Sequence, residues 1–474
     1  MNLNNLLNYT ARLDPQKTAI IESKNGQKIT YKELVENIEK YSIFFINNGI
    51  LPNENVGLKL KNSIEWIVTF YALIKIGANP VLIDPLSTPF ETEEYLKIAN
   101  SKTIITKHND KIVNIGLENV EIIILSDENY LQPDIFNVNL EKIKHSPNII
   151  NNSYSNIILF TYRGFGYPLG VLYNEKSLIL SIISNISASR INNKSIVAHL
   201  LPSTHIFGLS CNILSTLLVG GTVAIINNTM PKEMLKNMEF YKINFLVAVP
   251  TIIKILLDTN KKSNFNLAEC KRGIVGGNSF NKLLFESWKD MTNGGTLIQG
   301  YGLTETSPIL CNLWNNHNPE SLGKPMRNCN FLILDKNKHI VSSDKEGTLF
   351  VKNNGLFCKY INRKSDDLFY KEYFDTGDIV YKDKEEFYFF VKRDKDIAKI
   401  GGTTVDINEI INTLNNYEKK FKFKIEINDD PIWQEKITLT ITGNQEITKE
   451  DILEHLRKKL NTSKIPKDII ITTG

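Results

Sequence analysis

The sequence is short of cysteine, and its few cysteines form no pattern that would bind a metal or build a disulfide framework. There are five of them, an odd number, and no two stand in a CxxC pair. Disulfide frameworks and zinc sites both need paired or closely spaced cysteines. Neither is therefore expected at Cys211, Cys270, Cys311, Cys329 or Cys358.

Long hydrophobic runs are lacking as well. No apolar run approaches the roughly 20 residues that a helix needs to cross a bilayer. Residues 1–15 also lack the basic segment followed by an apolar one that marks a signal peptide. We expect a cytoplasmic protein with no membrane span.

The chain also lacks an excess of charge of one sign. It has 56 Lys and Arg residues against 52 Asp and Glu residues, which gives a formal net charge of +4 over 474 residues. Proteins that bind polyanions usually carry a much stronger basic excess. Nucleic acid and anionic membranes are therefore not expected as partners.

What the sequence does have is length for two or more domains and a repeated local pattern. Short apolar runs break into polar or glycine-bearing loops, and helix-length stretches lie between them. This alternation predicts an α/β protein with parallel-rich sheets, in which ligands bind beyond the carboxyl ends of the strands. The predicted strands are 156–161, 222–226, 244–249, 273–275 and 296–299, and the predicted helices are 176–188, 230–241 and 280–291.

The pattern changes after about residue 325. Short runs at 330–334, 340–342, 348–351 and 386–391 alternate with turns, which predicts a small antiparallel β unit over 325–393. A mixed segment follows, with predicted helices at 408–415 and 449–460. We expect an N-terminal domain over 1–393, a joint near 393–396, and a small mobile α+β domain over 394–474.

The first candidate site is the loop that follows the predicted strand 156–161. It carries three glycines, Gly164, Gly166 and Gly170, together with the hydroxyl of Thr161 and the guanidinium of Arg163. Glycines allow backbone N–H groups to approach phosphate oxygens closely, and arginine binds phosphate through two donors. A tight structural turn would explain the same glycines.

Two further candidates follow other predicted strands. In the segment 300–306, Tyr301 could stack on a nucleobase and Glu305 could hold Mg²⁺ bound to ATP phosphates, although Thr304 and Glu305 would also suit the first turn of a helix. In 374–378, Asp378 lies on a turn and could accept hydrogen bonds from both ribose hydroxyls.

The fourth candidate is the charged segment 392–402, which ends in Gly401-Gly402. Dense charge followed by paired glycines is typical of a mobile joint that also meets a charged ligand. A solvated charged turn is the alternative.

In chain order, these four segments resemble the motifs of the adenylate-forming superfamily of acyl-CoA synthetases, peptide-synthetase adenylation domains and luciferases. Further similar segments extend the resemblance over nearly the whole chain, and it is nearest to acyl- or aryl-CoA ligases. They are residues 29–34, 72–85, 205–209, 218–222, 276–278 and 322–325.

The resemblance implies roles in nucleotide binding for matching residues. Thr161 and the glycines 164, 166 and 170 would hold the β- and γ-phosphates of ATP. Thr304 would contact the α-phosphate, and Glu305 would bind the metal. Gly277 and Asn278 would line the adenine site beside Tyr301.

It also implies roles around the acid and the thiol. Asp378 would bind the ribose hydroxyls, and Arg393 would reach the ribose or a phosphate. Lys395 would be the hinge, Gly401 and Gly402 would border the thiol channel, and His205 would stand near the substrate carboxylate unless it only packs.

The glycine loop departs from the family pattern Ser/Thr-Gly-Thr-Thr-Gly-x-Pro-Lys-Gly. Tyr162, Arg163, Gly164 and Phe165 replace small and hydroxylated residues, and Leu169 replaces the lysine. Our hypothesis is that Arg163 supplies the missing charge and Tyr162 a hydroxyl.

The second departure concerns the family's catalytic lysine, which follows a segment that residues 463–467 resemble. No such lysine comes before Gly474, and Lys464 and Lys467 match another part of that motif. We expect either an incomplete small domain or an impaired first step.

The expected reaction joins ATP and a carboxylic acid into acyl-AMP with release of pyrophosphate, and then transfers the acyl group to the thiol of CoA or of phosphopantetheine. The segment 205–208 lacks the aspartate that would pair with an α-ammonium, so a small acid other than an amino acid is preferred. Two alternatives stay open: a ligase dedicated to an acyl carrier protein, and a catalytically impaired nucleotide-binding protein.

Overall fold

The computed structural model describes residues 2–115, 119–125, 154–227, 230–278, 280–393, 396–418, 421–442 and 447–472. The helices within these ranges are α1 Leu3–Leu13, α2 Tyr31–Asn47, α3 Ile64–Lys75, α4 Pro89–Ile98, α5 Lys111–Ile115, α6 Glu175–Ser189, α7 Ser215–Leu218, α8 Pro231–Phe240, α9 Pro250–Ser263, α10 Lys282–Met291, α11 Ile407–Asn415 and α12 Lys449–Lys459. A π-helix, Phe207–Leu214, leads into α7, and 3₁₀ turns lie at Asp366–Leu368 and Thr462–Lys464.

The strands are given in chain order. The first thirteen are β1 Thr18–Glu22, β2 Gln27–Thr30, β3 Asn55–Leu58, β4 Asn79–Leu82, β5 Thr103–Lys107, β6 Glu121–Leu125, β7 Asn156–Thr161, β8 Leu169–Asn174, β9 Ile196–His199, β10 Thr222–Ile225, β11 Phe245–Ala248, β12 Arg272–Val275 and β13 Thr296–Leu303. The others are β14 Ser307–Cys311, β15 Lys324–Pro325, β16 Cys329–Leu334, β17 Gly347–Asn353, β18 Lys359–Tyr360, β19 Phe369–Tyr370, β20 Tyr373–Lys382, β21 Tyr388–Arg393, β22 Ile397–Ile400, β23 Thr403–Asp406, β24 Lys422–Asp430, β25 Gln434–Thr442 and β26 Asp468–Thr472.

Two large sheets form the body of the protein and confirm the predicted parallel-rich α/β fold. The first has the order β15-β14-β13-β12-β11-β9-β10-β1-β2, and its strands from β13 to β1 are all parallel. The second has the order β18-β8-β7-β4-β3-β5-β6, with β7 to β6 parallel. Both place the loops after their parallel strands at one edge.

Helix α3 shows how these sheets are joined. Its residues from Ile64 to Ile74 are all buried, so the helix is enclosed around its whole circumference and lies within the core. Several other helices begin at side-chain caps that the sequence displays. Thr30, Thr88 and Thr448 each form a capping box at the start of α2, α4 and α12.

The predicted antiparallel β unit is present, with two differences from the sequence-based prediction. Strands β16, β17, β20, β19 and β21 form the antiparallel sheet. The predicted strand at 340–342 is wrong, because Ile340 makes only an isolated bridge to Leu334. The short strand β18 pairs with β8, which connects this unit to the second large sheet.

The segment Gly300-Tyr301-Gly302 was predicted as a loop and is instead part of β13. The first half of this strand pairs in parallel with β12, and its second half pairs antiparallel with β14. Tyr301 is therefore held in the sheet opposite Leu310 of β14 rather than carried on a free loop.

The last sheet, β23-β22-β25-β24 with β26 beside β25, packs with α11 and α12 around a core of its own. The buried residues of this core all lie between Ala398 and Ile469. A separate core is what a small domain over 394–474 requires, and the joint near 393–396 stays a prediction. No helix within the described ranges has both the length and the apolar character needed to span a membrane.

Candidate functional site

A cavity of about 330 Å³ lies where the two large sheets, the β unit and the small domain meet. Side chains and backbone from distant parts of the chain line it. Among the predicted site residues, the lining includes Thr161, Arg163, His205, Gly277, Tyr301, Thr304, Glu305, Arg393, Gly401 and Gly402. The structure thus brings most of the predicted residues to one space, while Lys395 lies outside the described residues.

The glycine loop is the turn of an antiparallel hairpin between β7 and β8. Gly164 and Gly166 adopt φ of 79° and 77°, which side-chain-bearing residues rarely adopt. Gly170 differs, because it lies within β8 and a Cβ there would meet Cγ1 of Ile361 at 2.6 Å. Packing therefore accounts for Gly170, and the loop conformation accounts for the other two glycines.

The small domain contacts this loop directly. The backbone N–H of Gly166 donates to Oδ2 of Asp406 at 3.1 Å. Asn408 Nδ2 donates to the carbonyl of Gly164 at 2.9 Å, and Asn412 Nδ2 donates to that of Gly166 at 3.3 Å. The predicted phosphate-binding loop is thus covered by residues of β23 and α11.

Arg163 points away from the loop backbone and is buried beside Glu305. Its Nη1 lies 3.3 Å from Oε1 of Glu305, and its Nη2 donates to the carbonyl of Asp375 at 2.8 Å. The guanidinium also stands 4.9 Å above the ring of Phe374. Arg163 therefore compensates the charge of Glu305 instead of extending toward the place predicted for pyrophosphate.

This pairing bears on the metal role predicted for Glu305. Oε1 of Glu305 also accepts a hydrogen bond from the Tyr360 hydroxyl at 2.5 Å. Magnesium is usually held by one or two carboxylates together with substrate phosphates. A divalent cation on Oε1 would face the Arg163 guanidinium, so this oxygen of Glu305, as arranged here, does not fit a metal ion.

Asp378 and Arg393 form the second buried ion pair of the site. Arg393 Nη2 donates to Oδ2 of Asp378 at 2.8 Å, and its Nε donates to Oδ1. The Tyr301 hydroxyl donates to Oδ2 at 2.6 Å. Both carboxylate oxygens of Asp378 thus have partners within the chain, and Asp378 orients Tyr301 and Arg393 at the cavity wall.

His205 also lines the cavity, and its side chain is exposed there. Its Nδ1 accepts the N–H of Phe207 at 3.3 Å. Burial lowers the pKa of His205 to about 4, and the nearby charge of Lys399 acts in the same direction. At neutral pH the imidazole is therefore uncharged and can donate a hydrogen bond to an anionic oxygen without carrying charge itself.

The paired glycines allow the small domain to approach the large one. Gly402 has φ of 88°, and a Cβ there would meet Cγ1 of Val249 at 2.7 Å. Gly401 has φ of 56°, and a Cβ there would meet Cε3 of the Trp433 ring at 2.9 Å. Nearby, Asn278 Nδ2 donates to the carbonyl of Lys399 at 3.3 Å.

Sequence reasoning missed Lys399, which also lines the cavity. Its Nζ donates to Oγ1 of Thr404. Burial lowers its pKa to about 7, with the charge of Arg393 adding to the effect and Asp378 opposing it. Lys399 lies inside the charged segment 392–402, four residues after the predicted hinge. This position was the feature of the sequence that could have identified it as a site residue.

Lys464 was also left without a role, and it lies at the centre of a buried cluster between the domains. Its Nζ donates to Oε1 of Glu91 at 2.6 Å, to the Tyr162 hydroxyl at 2.7 Å and to Oε1 of Glu409 at 2.9 Å. The Tyr162 hydroxyl in turn donates to Glu409 at 3.0 Å. Tyr162 therefore uses its hydroxyl in the domain interface rather than toward a phosphate.

Comparison with known proteins identifies the family of the chain and several distant relatives. The family profile described as "AMP-binding enzyme" matches residues 7–361. A long-chain-fatty-acid–CoA ligase of Yersinia pestis is 24% identical, over 93% of this chain and 86% of that protein. 4-coumarate–CoA ligase 2 of Nicotiana tabacum is 23% identical, over 94% of this chain and 86% of that protein.

Solved structures share the fold over the whole chain. An o-succinylbenzoate CoA synthetase double mutant from Bacillus subtilis, bound to a product analogue, superposes with a TM-score of 0.84 at 21% identity, over 99% of this chain and 94% of the other. The amide bond synthetase McbA from Marinactinospora thermotolerans gives 0.86 at 16% identity, over 100% and 96%. At these identities the superpositions establish the fold alone.

Proposed function

Since the chain belongs to the AMP-binding enzyme family and is an adenylate-forming enzyme of the acyl- and aryl-CoA ligase type, we propose that it activates a carboxylic acid other than an amino acid with ATP and transfers the acyl group to a thiol. In the first step a carboxylate oxygen attacks the α-phosphorus of ATP, and pyrophosphate leaves. In the second step a thiolate attacks the acyl carbon, the bond between that carbon and the AMP oxygen breaks, and AMP leaves.

The observation that carries the proposal is the single cavity shared by the large and small domains. Thr161 and Thr304 offer hydroxyls from the ends of β7 and β13, and Lys399 and the glycines 401 and 402 enter from the small domain. A nucleotide and an acid bound together need this kind of shared space, because their reacting atoms must come within about 3 to 3.5 Å of each other.

We assign each residue of the site to one part of the bound substrates. We assign the α-phosphate to Thr304 and Lys399, the base and ribose to Tyr301 with Asp378 and Arg393, and the acid carboxylate to the neutral imidazole of His205. With the small domain placed as it is here, Lys399 can supply positive charge where charge develops on the AMP that leaves in the second step. None of these steps depends on a metal ion at Glu305.

The charges of the cavity support an acid without an α-ammonium. Two carboxylates are found among its described lining residues, Asp84 and Glu305. Glu305 is paired with Arg163, and Asp84 accepts the N–H of Leu86 at 2.8 Å and lies 3.5 Å from the Asn461 amide. Neither is free for a substrate ammonium, whose burial without a partner would be costly.

Part of the cavity wall is apolar. Phe207, Ile252, Ile274 and Met326 belong to one apolar cluster and line the cavity, and side chains of this kind bury an acyl or aryl group. The proposed substrate class is therefore an apolar carboxylic acid. CoA and the phosphopantetheine of an acyl carrier protein remain the two candidate acceptors.

A reaction assay with ATP, a panel of aliphatic and aryl acids, and either CoA or a phosphopantetheinylated carrier protein tests this function. We expect pyrophosphate release that depends on the acid, and a thioester with one of the two thiols, detected by mass spectrometry. Thr304→Val removes one hydroxyl and should slow pyrophosphate release by about 100- to 1,000-fold.

The second candidate function is nucleotide or acyl-AMP binding without turnover. The buried Arg163–Glu305 pair favours it, because it occupies the carboxylate predicted to bind the metal. Calorimetric binding of ATP or AMP with no pyrophosphate and no thioester from any acid would support this alternative and contradict the ligase proposal.

A further inference from the structure

The predicted phosphate loop already holds an anion that belongs to the chain itself. Gly164 and Gly166, both at positive φ, shape the loop so that its N–H groups can converge on an oxygen atom. Oδ2 of Asp406 accepts the Gly166 N–H at 3.1 Å. The carboxylate thus stands at the place where a loop of this kind binds phosphate.

Asp406 is well held in this position. It is fully buried, and its other oxygen, Oδ1, caps the first turn of α11 by accepting the N–H of Asn408 at 2.9 Å. One carboxylate therefore connects the phosphate loop to the N-terminus of a helix, where negative charge is stabilised.

Neighbouring amides close the same contact. Asn408 and Asn412 donate to the carbonyls of Gly164 and Gly166. A Cβ on Gly166 would come within 2.5 Å of Asn412 Nδ2, so the helix lies directly against the loop. A phosphate group bound on this surface would have to displace α11.

The loop also lacks an outward cation that could hold a polyphosphate against this competition. Leu169 stands at the position where the family pattern has lysine. Arg163 is turned inward and paired with Glu305 at 3.3 Å. The α-phosphate position is different, since Lys399 and Thr304 line the cavity beyond the loop.

We propose that the Asp406 carboxylate competes with the polyphosphate end of ATP and with pyrophosphate for the glycine loop. In the closed arrangement, in which residues of β23 and α11 cover the glycine loop as they do here, the site is then selective for a nucleoside monophosphate. This ligand would be free AMP or an acyl-AMP. The inference rests on the proposed function in assigning this loop to polyphosphate. It adds that a carboxylate of the chain itself occupies the loop when the small domain covers it.

Calorimetric titration of AMP, ATP and pyrophosphate into the full chain tests the competition. The informative variant is Asp406→Ser, because serine still caps a helix but carries no charge. Asp406→Asn keeps both the cap and the shape and removes only the charge. Thr448→Ala is the matched control, since it removes the cap of α12 at an exposed position of the same domain, away from the loop.

The expected result is a gain in binding affinity for ATP and pyrophosphate but not for AMP. For a ligand that needs the loop, the apparent affinity is the intrinsic affinity multiplied by the fraction of molecules in which the loop is free. Removing Asp406 should therefore strengthen pyrophosphate and ATP binding by about tenfold or more, the size of one hydrogen bond to a charged group. AMP binding should not be strengthened in either variant, and Thr448→Ala should leave all three affinities in their wild-type order.

Two results would overturn the inference. One is pyrophosphate affinity unchanged in both Asp406 variants while their thermal unfolding shows a folded protein. The other is an equal gain for AMP and pyrophosphate, which would indicate general loosening. Failure of the ligase proposal would look different: no thioester from the wild-type chain, with the contrast between AMP and pyrophosphate still measurable.

Discussion

Lys464 Nζ lies 2.6 Å from Oε1 of Glu91 and so connects the small domain to the first turn of α4 in the large domain. Both side chains are almost completely buried. A buried pair of this kind gives little stability over an apolar replacement, but the removal of one partner leaves an uncompensated charge. The pair therefore makes the relative position of the two domains sensitive to a single substitution.

The first prediction concerns this lysine. Lys464→Met leaves Glu91 and Glu409 buried without their common cation, and it should lower the free energy of unfolding by about 3 kcal/mol. Urea denaturation measures the loss. Lys458→Met is the control, because its partner Glu454 and the lysine itself are both exposed and such pairs contribute about 0 to 1 kcal/mol. A loss no larger than in the control would contradict the role of Lys464.

The second prediction concerns pH. Burial raises the pKa of Glu409 from its usual 4.5 to about 7, although Lys464 acts to lower it. Oε2 of Glu409 is buried and has no hydrogen-bond partner among the described residues, so ionisation is costly. Because the folded pKa is above the unfolded one, the stabilisation is fully present below the unfolded pKa and is lost as pH rises through about 7.

The free energy of unfolding should therefore fall by about 1 to 3 kcal/mol on this account between about pH 5 and about pH 8. Denaturation curves at several pH values measure this slope. Glu409→Gln should flatten the slope, while Glu454→Gln on the exposed side of α12 should leave it unchanged. A slope that persists in Glu409→Gln would assign the pH dependence to other groups.

The third prediction tests the charge compensation at Glu305. Arg163→Ala leaves this carboxylate buried beside Tyr360, and it should cost about 3 to 5 kcal/mol of unfolding free energy. The double variant Arg163→Ala with Glu305→Gln should recover part of that loss. Lys382→Ala serves as the control for loss of a surface cation, because Lys382 is partly exposed and its partner Glu386 is exposed. No recovery in the double variant would show that Arg163 stabilises the site by packing on Phe374 rather than by charge.

Particular residues show how far the sequence determines this fold and this site. The starts of several helices are visible as threonine caps, and the runs that form β7, β11 and β12 are readable because they are continuously apolar. Tyr301 was misplaced in a loop because its two flanking glycines are typical of turns. Here Gly302 lets β13 and β14 approach closely, and a Cβ on Gly300 would meet Cγ2 of Ile274 at 3.1 Å.

Contacts across long chain distances were beyond sequence reasoning. Asp406 meets Gly166 across 240 positions, and Lys464 meets Glu91 across 373. Neither pair is linked by spacing or by any motif. The sequence also could not show that the Arg163 side chain points toward Glu305, because this partner is 142 positions away.

The fourth prediction concerns Lys399, whose pKa burial lowers to about 7. The lysine is charged below that pH, so the affinity for AMP should fall as pH rises from about 7 to about 9. Lys399→Arg keeps its charge over this range and should flatten the fall, whereas Lys399→Met should bind AMP weakly at every pH. Calorimetric titrations measure the three profiles. An unchanged pH dependence in Lys399→Arg would show that another group titrates.

The last prediction separates the two half-reactions through Gly402. Alanine there must adopt φ of 88° and place its Cβ 2.7 Å from Cγ1 of Val249, so it should hold the small domain away from the cavity. Gly294→Ala is the matched control, because Gly294 has φ of 94° but nothing within 4 Å of the added atom. Both variants should lose about 1 to 2 kcal/mol of stability from backbone strain.

In Gly402→Ala alone, thioester formation from added acyl-AMP should fall while pyrophosphate release from ATP and acid is retained. Equal loss of both steps would mean that the glycine pair serves the whole site rather than closure.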